Sequence, residues 1–372
     1  QDAIDYVLSG EHPKPDLVLL DLMMPGVDGM DIIRTLRPKM PHLPMIVLTI
    51  YGDLEKAVAA IKAGATDFLA KPVEPARLDV SIQNALRVNR LNDEVRRLQR
   101  NVTGQTQFSD IIGQSPAIQG SIKEAQRAAA SGIPVLIHGE SGVGKELFAR
   151  AIHGCSARAS KPFVALNCGA IPDNLAESIL FGHEKGAFTG AVQRSVGKFR
   201  EAQGGTLFLD EVSELKPDLQ VKLLRTLQEG DVQSVGGKQP EKVDVRILSA
   251  TNRNLADAVN AGEFREDLFY RLNVFPLTVP SLKERREDIP LLAEHFCRRF
   301  IAMEGKLIHG ITPVAQRFLQ SCDWPGNVRQ LENTLFRAVV MCDRAQLDVS
   351  DFQTIVSASD AQEGNGSENG VV

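Results

Sequence analysis

Disulfide chemistry has little to work with in these 372 residues. The five cysteines, Cys155, Cys168, Cys297, Cys322 and Cys342, are odd in number and include no Cys-x-x-Cys pair. That usage excludes a disulfide-stapled scaffold and fits reduced thiols in a cytosol, the location expected for the chain. The seven histidines show no metal-ligand spacing. No apolar run approaches the roughly 18 residues of a membrane helix, so no membrane contact is expected. Excess positive charge is missing too: 42 basic against 47 acidic residues leave a formal net charge of -5, which argues against non-specific affinity for nucleic acid but leaves a local basic patch open. Gln1 is neither an initiator methionine nor a signal-type start, and the chain closes on a polar Gly- and Asn-rich stretch, so both ends read as cut from something longer.

What is present is an ordinary globular composition, 43% hydrophobic and 24% charged, which rules out wholesale disorder. The length predicts two or three domains. Residues 1–87 alternate strand and helix patterns: apolar runs at Asp16–Asp21, Met45–Thr49 and Thr66–Ala70, with helix-period stretches at Gly29–Leu36 and Leu54–Ala63 between them. This is the pattern of a parallel α/β sheet. From Leu78 to Val102 a charged helix is expected, with one apolar stripe through Leu78, Ile82, Ala85, Val88, Leu91, Val95, Leu98 and Val102. It reads either as a coiled coil pairing two chains or as a single helix packed on its own domain, and 88–109 is assigned as the linker. Residues 110–344 form a second, larger α/β unit with strands at Val135–His138, Phe163–Leu166, Thr206–Leu209 and Val245–Ser249, turning all-helical from about Arg286 as a lid. Residues 345–372 are assigned as a linker tail.

Two motifs carry chemistry. Gly139-Glu140-Ser141-Gly142-Val143-Gly144-Lys145 follows an apolar strand and precedes a helix. Its glycines let backbone N–H groups curl around an anion, the helix N-terminus adds its dipole, and Lys145 supplies a mobile charge for the outer phosphates. Glu146 stands where the general motif has Ser or Thr, so no hydroxyl is available there for Mg²⁺. The second motif, Gly204–Glu211, is an apolar strand ending in two acids, which places Asp210 near a metal and Glu211 where it can orient or deprotonate water. Together they predict nucleoside triphosphate hydrolysis. Asn252 ends another strand and is available to a γ-phosphate. Arg265 and Arg271 lie six residues apart, and Asn327 is expected to cap a helix with Gln330 at its third position, fixing Arg329 in the first turn. Each of these arginines alone also fits surface ion pairing. Phe188, set among Gly186, Ala187, Gly190 and Ala191, reads either as an aromatic presented on a swinging loop with Thr189 or as a buried Phe in a tight interhelical turn.

The ordered set Gly139–Glu146, Gly186–Ala191, Gly204–Glu211, Phe264–Arg271 and Trp324–Glu332 resembles the central AAA+ domain of bacterial enhancer-binding proteins, the activators of sigma-54 RNA polymerase, whose phosphate loop also ends in Lys-Glu. The resemblance implies an ATPase with ATP and Mg²⁺ as cofactors and Ile112 and Gly139–Glu146 as the ATP-binding set. Lys145 is then on the β- and γ-phosphates, Asp210 on Mg²⁺, Glu211 on the attacking water, and Asn167 holds the catalytic acid in an inactive orientation. Arg265 and Arg271 correspond to arginine fingers reaching into a neighbouring subunit, Arg329 to a second sensor, and Gly186-Ala187-Phe188-Thr189-Gly190-Ala191 to the sigma-54 contact. A ring of six or seven subunits, built from dimers, is implied, because fingers act in trans.

Residues 1 to about 85 resemble a response-regulator receiver of flavodoxin-like fold, with Asp21 as phosphoacceptor for a sensor histidine kinase, Thr49 and Lys71 reading the phosphoryl group, and Phe68 as the rotating aromatic. Against that pattern the chain begins at the second helix and lacks the first two strands and the acidic pair for Mg²⁺, which leaves Asp16–Asp21 as an edge and phosphorylation of this polypeptide in question. No amphipathic helical pair follows Val340, so enhancer DNA is expected to be read only through a missing C-terminal domain. The expected function is a phosphorylation-regulated activator that hydrolyses ATP to convert closed sigma-54 promoter complexes to open ones. The alternative is a DNA-bound repressor or scaffold of the same fold that binds nucleotide without remodelling polymerase.

Overall fold

The computed structural model describes residues 15–22, 29–40, 43–50, 54–87, 106–188 and 191–352. The chain divides into two compact units, at Gly104 and Gln105. Residues 88–105, most of the expected linker helix, lie outside the described residues, as do Thr189, Gly190 and the tail from 353.

The first unit holds three parallel strands, β1 (Val18–Asp21), β2 (Met45–Ile50) and β3 (Asp67–Lys71), in the order β1-β2-β3. Helices α1 (Gly29–Lys39), α2 (Leu54–Ala63) and α3 (75–87) accompany them. Parallel strands need crossover connections, and the apolar faces of α1 and α2 supply them. Ile32, Ile33 and Leu36 of α1 join Leu20, Met45, Val47 and Ala60 in one core, while Ile46, Leu69 and Ala85 make a second against α3. The expected stripe is thus used inside the unit as far as Ala85. Among the described residues β1 is an edge, with Leu19 44% exposed.

The second unit is built on a five-stranded parallel sheet in the order β10-β4-β9-β6-β5. Its strands are β4 (Val135–His138), β5 (Phe163–Asn167), β6 (Thr206–Asp210), β9 (Arg246–Thr251) and β10 (Phe275–Thr278), each within a residue or two of the expected position where one was expected. The edge strand β10 was not expected. Its four residues include Pro276, which breaks the strand signal and is tolerated because a strand at the edge has one side with no ladder bond to donate. The antiparallel pair β7 (Asp231–Val232) and β8 (Glu241–Lys242) is too short to leave a periodic trace.

Helices α4 (Pro116–Ala130) and α5 (Lys145–Gly154) pack on one face, burying Ile118, Ala125, Phe148 and Ile152 against Val135, Ile137 and Phe208. Helices α6 (Asp173–Phe181), α7 (Lys198–Glu201) and α8 (Pro217–Glu229) cover the other with Leu180, Phe199 and Leu223, joined by α9 (Leu255–Asn260) and α10 (Glu266–Leu272) through Leu255 and Leu268. The lid is α11 (Ile289–Glu304), α12 (Pro313–Ser321) and α13 (Asn327–Met341) around its own core of Leu292, Phe296, Leu319, Trp324 and Leu335.

Two boundaries differ from the sequence reading. Phe108 and Ile111 are buried in the core of the second unit, so that unit reaches back before Asp110. The lid core also takes in Leu347 and Phe352, both fully buried and beyond Arg344. Single apolar residues in polar surroundings carry no period, so only packing shows them to be core. Among the described residues no helix is long and apolar enough to cross a membrane.

Candidate nucleotide site

In a parallel sheet all strands end at one edge, and that edge collects the functional side chains. Register pairs Asn167 with Asp210 and His138 with Thr251, so the loop after β4, the acids after β6 and Asn252 after β9 converge. Gly139 N donates to Thr251 O at 3.3 Å, tying the phosphate loop to the end of β9. Gly142 and Gly144 have φ of +77° and +107°, the left-handed values that let the loop fold back on itself.

Lys145 opens α5 and is buried; its Nζ donates to Gly139 O (2.7 Å) and Glu140 O (2.9 Å), so the ammonium lies across the mouth of its own loop. Burial lowers its pKa, and the charges of Asp210 and Glu211 resist that shift while Arg329 adds to it. The carboxyl of Asp210 is pushed upward, chiefly by burial and against a hydrogen bond from Glu211 N at 3.0 Å. Glu211 sits at φ 52°, ψ 46°, a left-handed conformation that carries strain for a residue with a Cβ and turns the chain sharply at the strand end.

The Glu211 carboxylate lies over Gly169, where an added Cβ would come within 2.6 Å of Oε2 and 3.5 Å of Asn167 Oδ1. Asn167 Oδ1 accepts from Ala170 N (3.0 Å), and among the described residues no hydrogen bond joins Asn167 to Glu211. Neither Asp210 nor Glu211 is in a salt bridge among the described residues. An acid pair next to one buried lysine suits a hard divalent cation, and among the described residues no cluster of three or more His, Cys, Asp or Glu forms an all-protein metal cage.

The lid supplies the rest. Asn327 does not cap its helix as the sequence suggested. Gly326 holds the cap position and Gln330 Oε1 accepts from Gly326 N (3.0 Å), while the amide of Asn327 is turned inward because it is fully buried and needs partners in the core. Arg329 N donates to Gly142 O at 3.3 Å, which brings that arginine to the phosphate loop. Arg285 and Asp288, neither singled out by the sequence reading, are also buried at the lid hinge. Arg285 donates to Val143 O (3.1 Å), and Asp288 accepts from Gln114 N, Ser115 N and Ser115 Oγ at 2.6–2.9 Å. Ile112 packs against the lid core beside them. In sequence these two sit in a charged run, Lys283–Asp288, and only their burial sets them apart.

Arg265 and Arg271 bracket α10 on the exposed side of the unit: Arg265 pairs with Asp267 at 2.7 Å and Arg271 donates to Leu227 O at 2.7 Å. Phe188 is 37% exposed and meets the His183 ring edge-on at 5.0 Å, not buried as the tight-turn reading had it. The turn is closed by Gly186 N to Ala191 O (2.8 Å) and Ala191 N to Phe188 O (3.0 Å). In the first unit Asp21 at the end of β1 is ion-paired with Lys71 at the end of β3; Thr49 on β2 is buried, and Phe68 packs on the core from a partly exposed position.

The raised Asp210 carboxyl has a measurable consequence. The folded chain binds this proton more readily than the unfolded chain, so ionised Asp210 costs stability as pH rises through its folded pKa. Asp210→Asn is expected to melt at a higher temperature than the parent at neutral pH without nucleotide, and the difference should shrink as pH falls toward the carboxylate range; thermal melts at two pH values check it.

A parallel sheet with a phosphate loop, an acid-ended strand and a docked helical lid defines the AAA+ P-loop class, here in one chain with a receiver-type α/β unit. The family models agree: a sigma-54 interaction domain matches residues 111–278, an AAA+ ATPase lid domain residues 283–369, and a response regulator receiver domain residues 1–83. The transcriptional regulatory protein ZraR of Salmonella typhimurium (strain LT2) is 47% identical over 92% of this chain and 77% of its own length. The DNA-binding transcriptional regulator NtrC of Escherichia coli (strain K12) is 46% identical over 94% and 74%. The crystal structure of NtrX from Brucella abortus in complex with ATP is similar at 36% identity and a TM-score of 0.63, covering 96% of this chain and 78% of that one. The chain belongs to the NtrC-type sigma-54-dependent response regulators.

Proposed function

We propose that the chain is a phosphorylation-regulated, cytoplasmic transcriptional activator that hydrolyses ATP to remodel sigma-54 RNA polymerase from closed to open promoter complexes. The observation that carries this reading is the convergence of Lys145, Asp210, Glu211 and the lid's Arg329 on one phosphate loop, together with an exposed Phe188 on a turn of minimal bulk. The ATP complex of the similar NtrX structure supports ATP as the nucleotide.

In this reading the glycine loop Gly139–Gly144 gives its N–H groups to the phosphates, and Lys145 exchanges its bonds to Gly139 O and Glu140 O for the β- and γ-phosphate oxygens. Asp210 would hold Mg²⁺, which when bound supplies positive charge against the phosphate oxygens. Glu211 accepts a proton from the attacking water, and Asn167, one strand away, sets where that carboxylate rests. Asn252 and Arg329 face the γ-phosphate side. Arg265 and Arg271 reach the site of the next subunit in a hexameric or heptameric ring. Phe188 and Thr189 contact sigma-54 in the nucleotide state that frees their turn. Phosphorylation of Asp21 by a sensor histidine kinase replaces its pairing with Lys71, and Thr49 follows the phosphoryl group.

The test is trapping. With ADP and aluminium fluoride the chain is expected to form a stable complex with sigma-54, and Thr189→Ala is expected to lose it while retaining ATP hydrolysis. A chain that hydrolyses ATP yet traps no sigma-54 would favour the scaffold or repressor function over remodelling.

A further inference from the structure

Asn327 is fully buried, and its side-chain amide is spent on two parts of the molecule at once. Oδ1 accepts from Leu282 N at 2.6 Å, where the lid begins. Nδ2 donates to Glu140 Oε2 (2.9 Å) and Ser141 O (3.1 Å) on the phosphate loop, and to Pro325 O (3.3 Å) in its own turn. Its φ of 51° is left-handed, as is that of Trp324 at 52°, so two residues of one short turn hold unfavourable backbone conformations that only strong surrounding contacts sustain.

Those contacts lock the turn to the loop. A Cβ at Gly142 would lie 2.3 Å from Gly326 O and 3.1 Å from Arg329 Cβ, so the two backbones touch with no space between them. Trp324 Nε1 donates to Leu319 O at 2.8 Å and closes the turn from the lid side. Arg329 is two residues from Asn327 and owes its place over the loop to this packing.

We propose that Asn327 is a positioning residue that carries the state of the phosphate loop to the lid through Glu140 and Ser141, and so sets Arg329. It touches no reacting atom. A phosphate drawn into the loop reorients residues 140–142, and a side chain bonded both to them and to Leu282 obliges the lid to follow. This rests on the reading of the loop as an ATP site.

Asn327→Asp tests it by replacing the donor that faces Glu140 with a carboxylate. The chain's single tryptophan, Trp324, supplies a reporter three residues away. In the full chain, ATP or ADP is expected to change Trp324 emission in the parent and not in Asn327→Asp. Turnover should drop at least about tenfold through misplaced Arg329, with nucleotide affinity within about threefold of the parent. Glu140→Ala breaks the same bond from an exposed side chain and serves if the first variant fails to fold; it should also silence the emission change. The two substitutions combined should cost less than the sum of their separate effects. A parent that hydrolyses ATP beside a folded Asn327→Asp chain with unchanged turnover and unchanged Trp324 response overturns this inference alone. A parent that binds no ATP overturns both this inference and the ATPase reading.

Discussion

Glu211→Gln is expected to lower ATP turnover by about 10³-fold while ATP binding stays within a few-fold, because glutamine keeps the shape of the side chain but takes no proton from water. Three features single out this carboxylate. It follows β6 at a strained left-handed backbone position, next to Asp210 and facing Lys145 across the strand ends. It lacks a salt-bridge partner among the described residues, so it is not there to neutralise a neighbour. Its carboxylate rests over Gly169, near Asn167 Oδ1, where small shifts would move it toward or away from a nucleotide. Steady-state hydrolysis beside equilibrium binding of a nucleotide separates loss of chemistry from loss of the site. Turnover within tenfold of the parent would remove Glu211 from the proton-transfer role.

The second large effect concerns two surface arginines. Arg265→Ala or Arg271→Ala is expected to reduce turnover by about 10³-fold or more, the scale of a finger supplied in trans. Both arginines are exposed, Arg265 just before α10 and Arg271 within it, and α10 packs in a different core from α5, the helix that Lys145 opens; their bonds to Asp267 and Leu227 O hold them on the surface. The parent's specific activity should then rise with protein concentration. Mixing Arg265→Ala chains with Lys145→Ala chains should recover part of the activity lost by each, since mixed rings contain some sites with an intact lysine and an intact neighbouring arginine. Activity independent of concentration, with no recovery on mixing, would mean that the arginines act within their own chain or only pair on the surface.

Much of this site was legible in the sequence because its parts are local. A phosphate loop needs glycines, a lysine and a helix in fixed succession, and an acid-ended strand announces itself by three apolar residues, Leu207 to Leu209, before Asp210. The same locality made β1, β2, β4, β5, β6 and β9 readable, since buried parallel strands are near-continuous apolar runs. The strand β10 was hidden by Pro276, and β7 and β8 by their length.

Asn327 shows where local reasoning ends. By spacing it is a helix cap with Gln330; in the fold Gly326 takes that place, and the buried amide joins Glu140, Ser141 and Leu282, partners 187, 186 and 45 residues away. Arg285 and Asp288 belong to the same group: three buried polar residues that clamp lid to core, one expected as a cap and two lying in a charged run that drew no notice. Burial of a polar side chain depends on what folds over it, and no window of neighbouring residues contains that information.

The sequence alone therefore determined the chemistry available to this protein: a lysine and glycine loop for phosphate, an acid pair for metal and water, an aspartate, threonine and lysine set in the first unit, and the order of elements carrying them. Tertiary structure decided their company. It set Asn167 opposite Asp210, Lys71 against Asp21, and the turn of the lid onto Gly142, because parallel strands gather distant chain segments at one edge and buried polar groups must find partners wherever the fold supplies them.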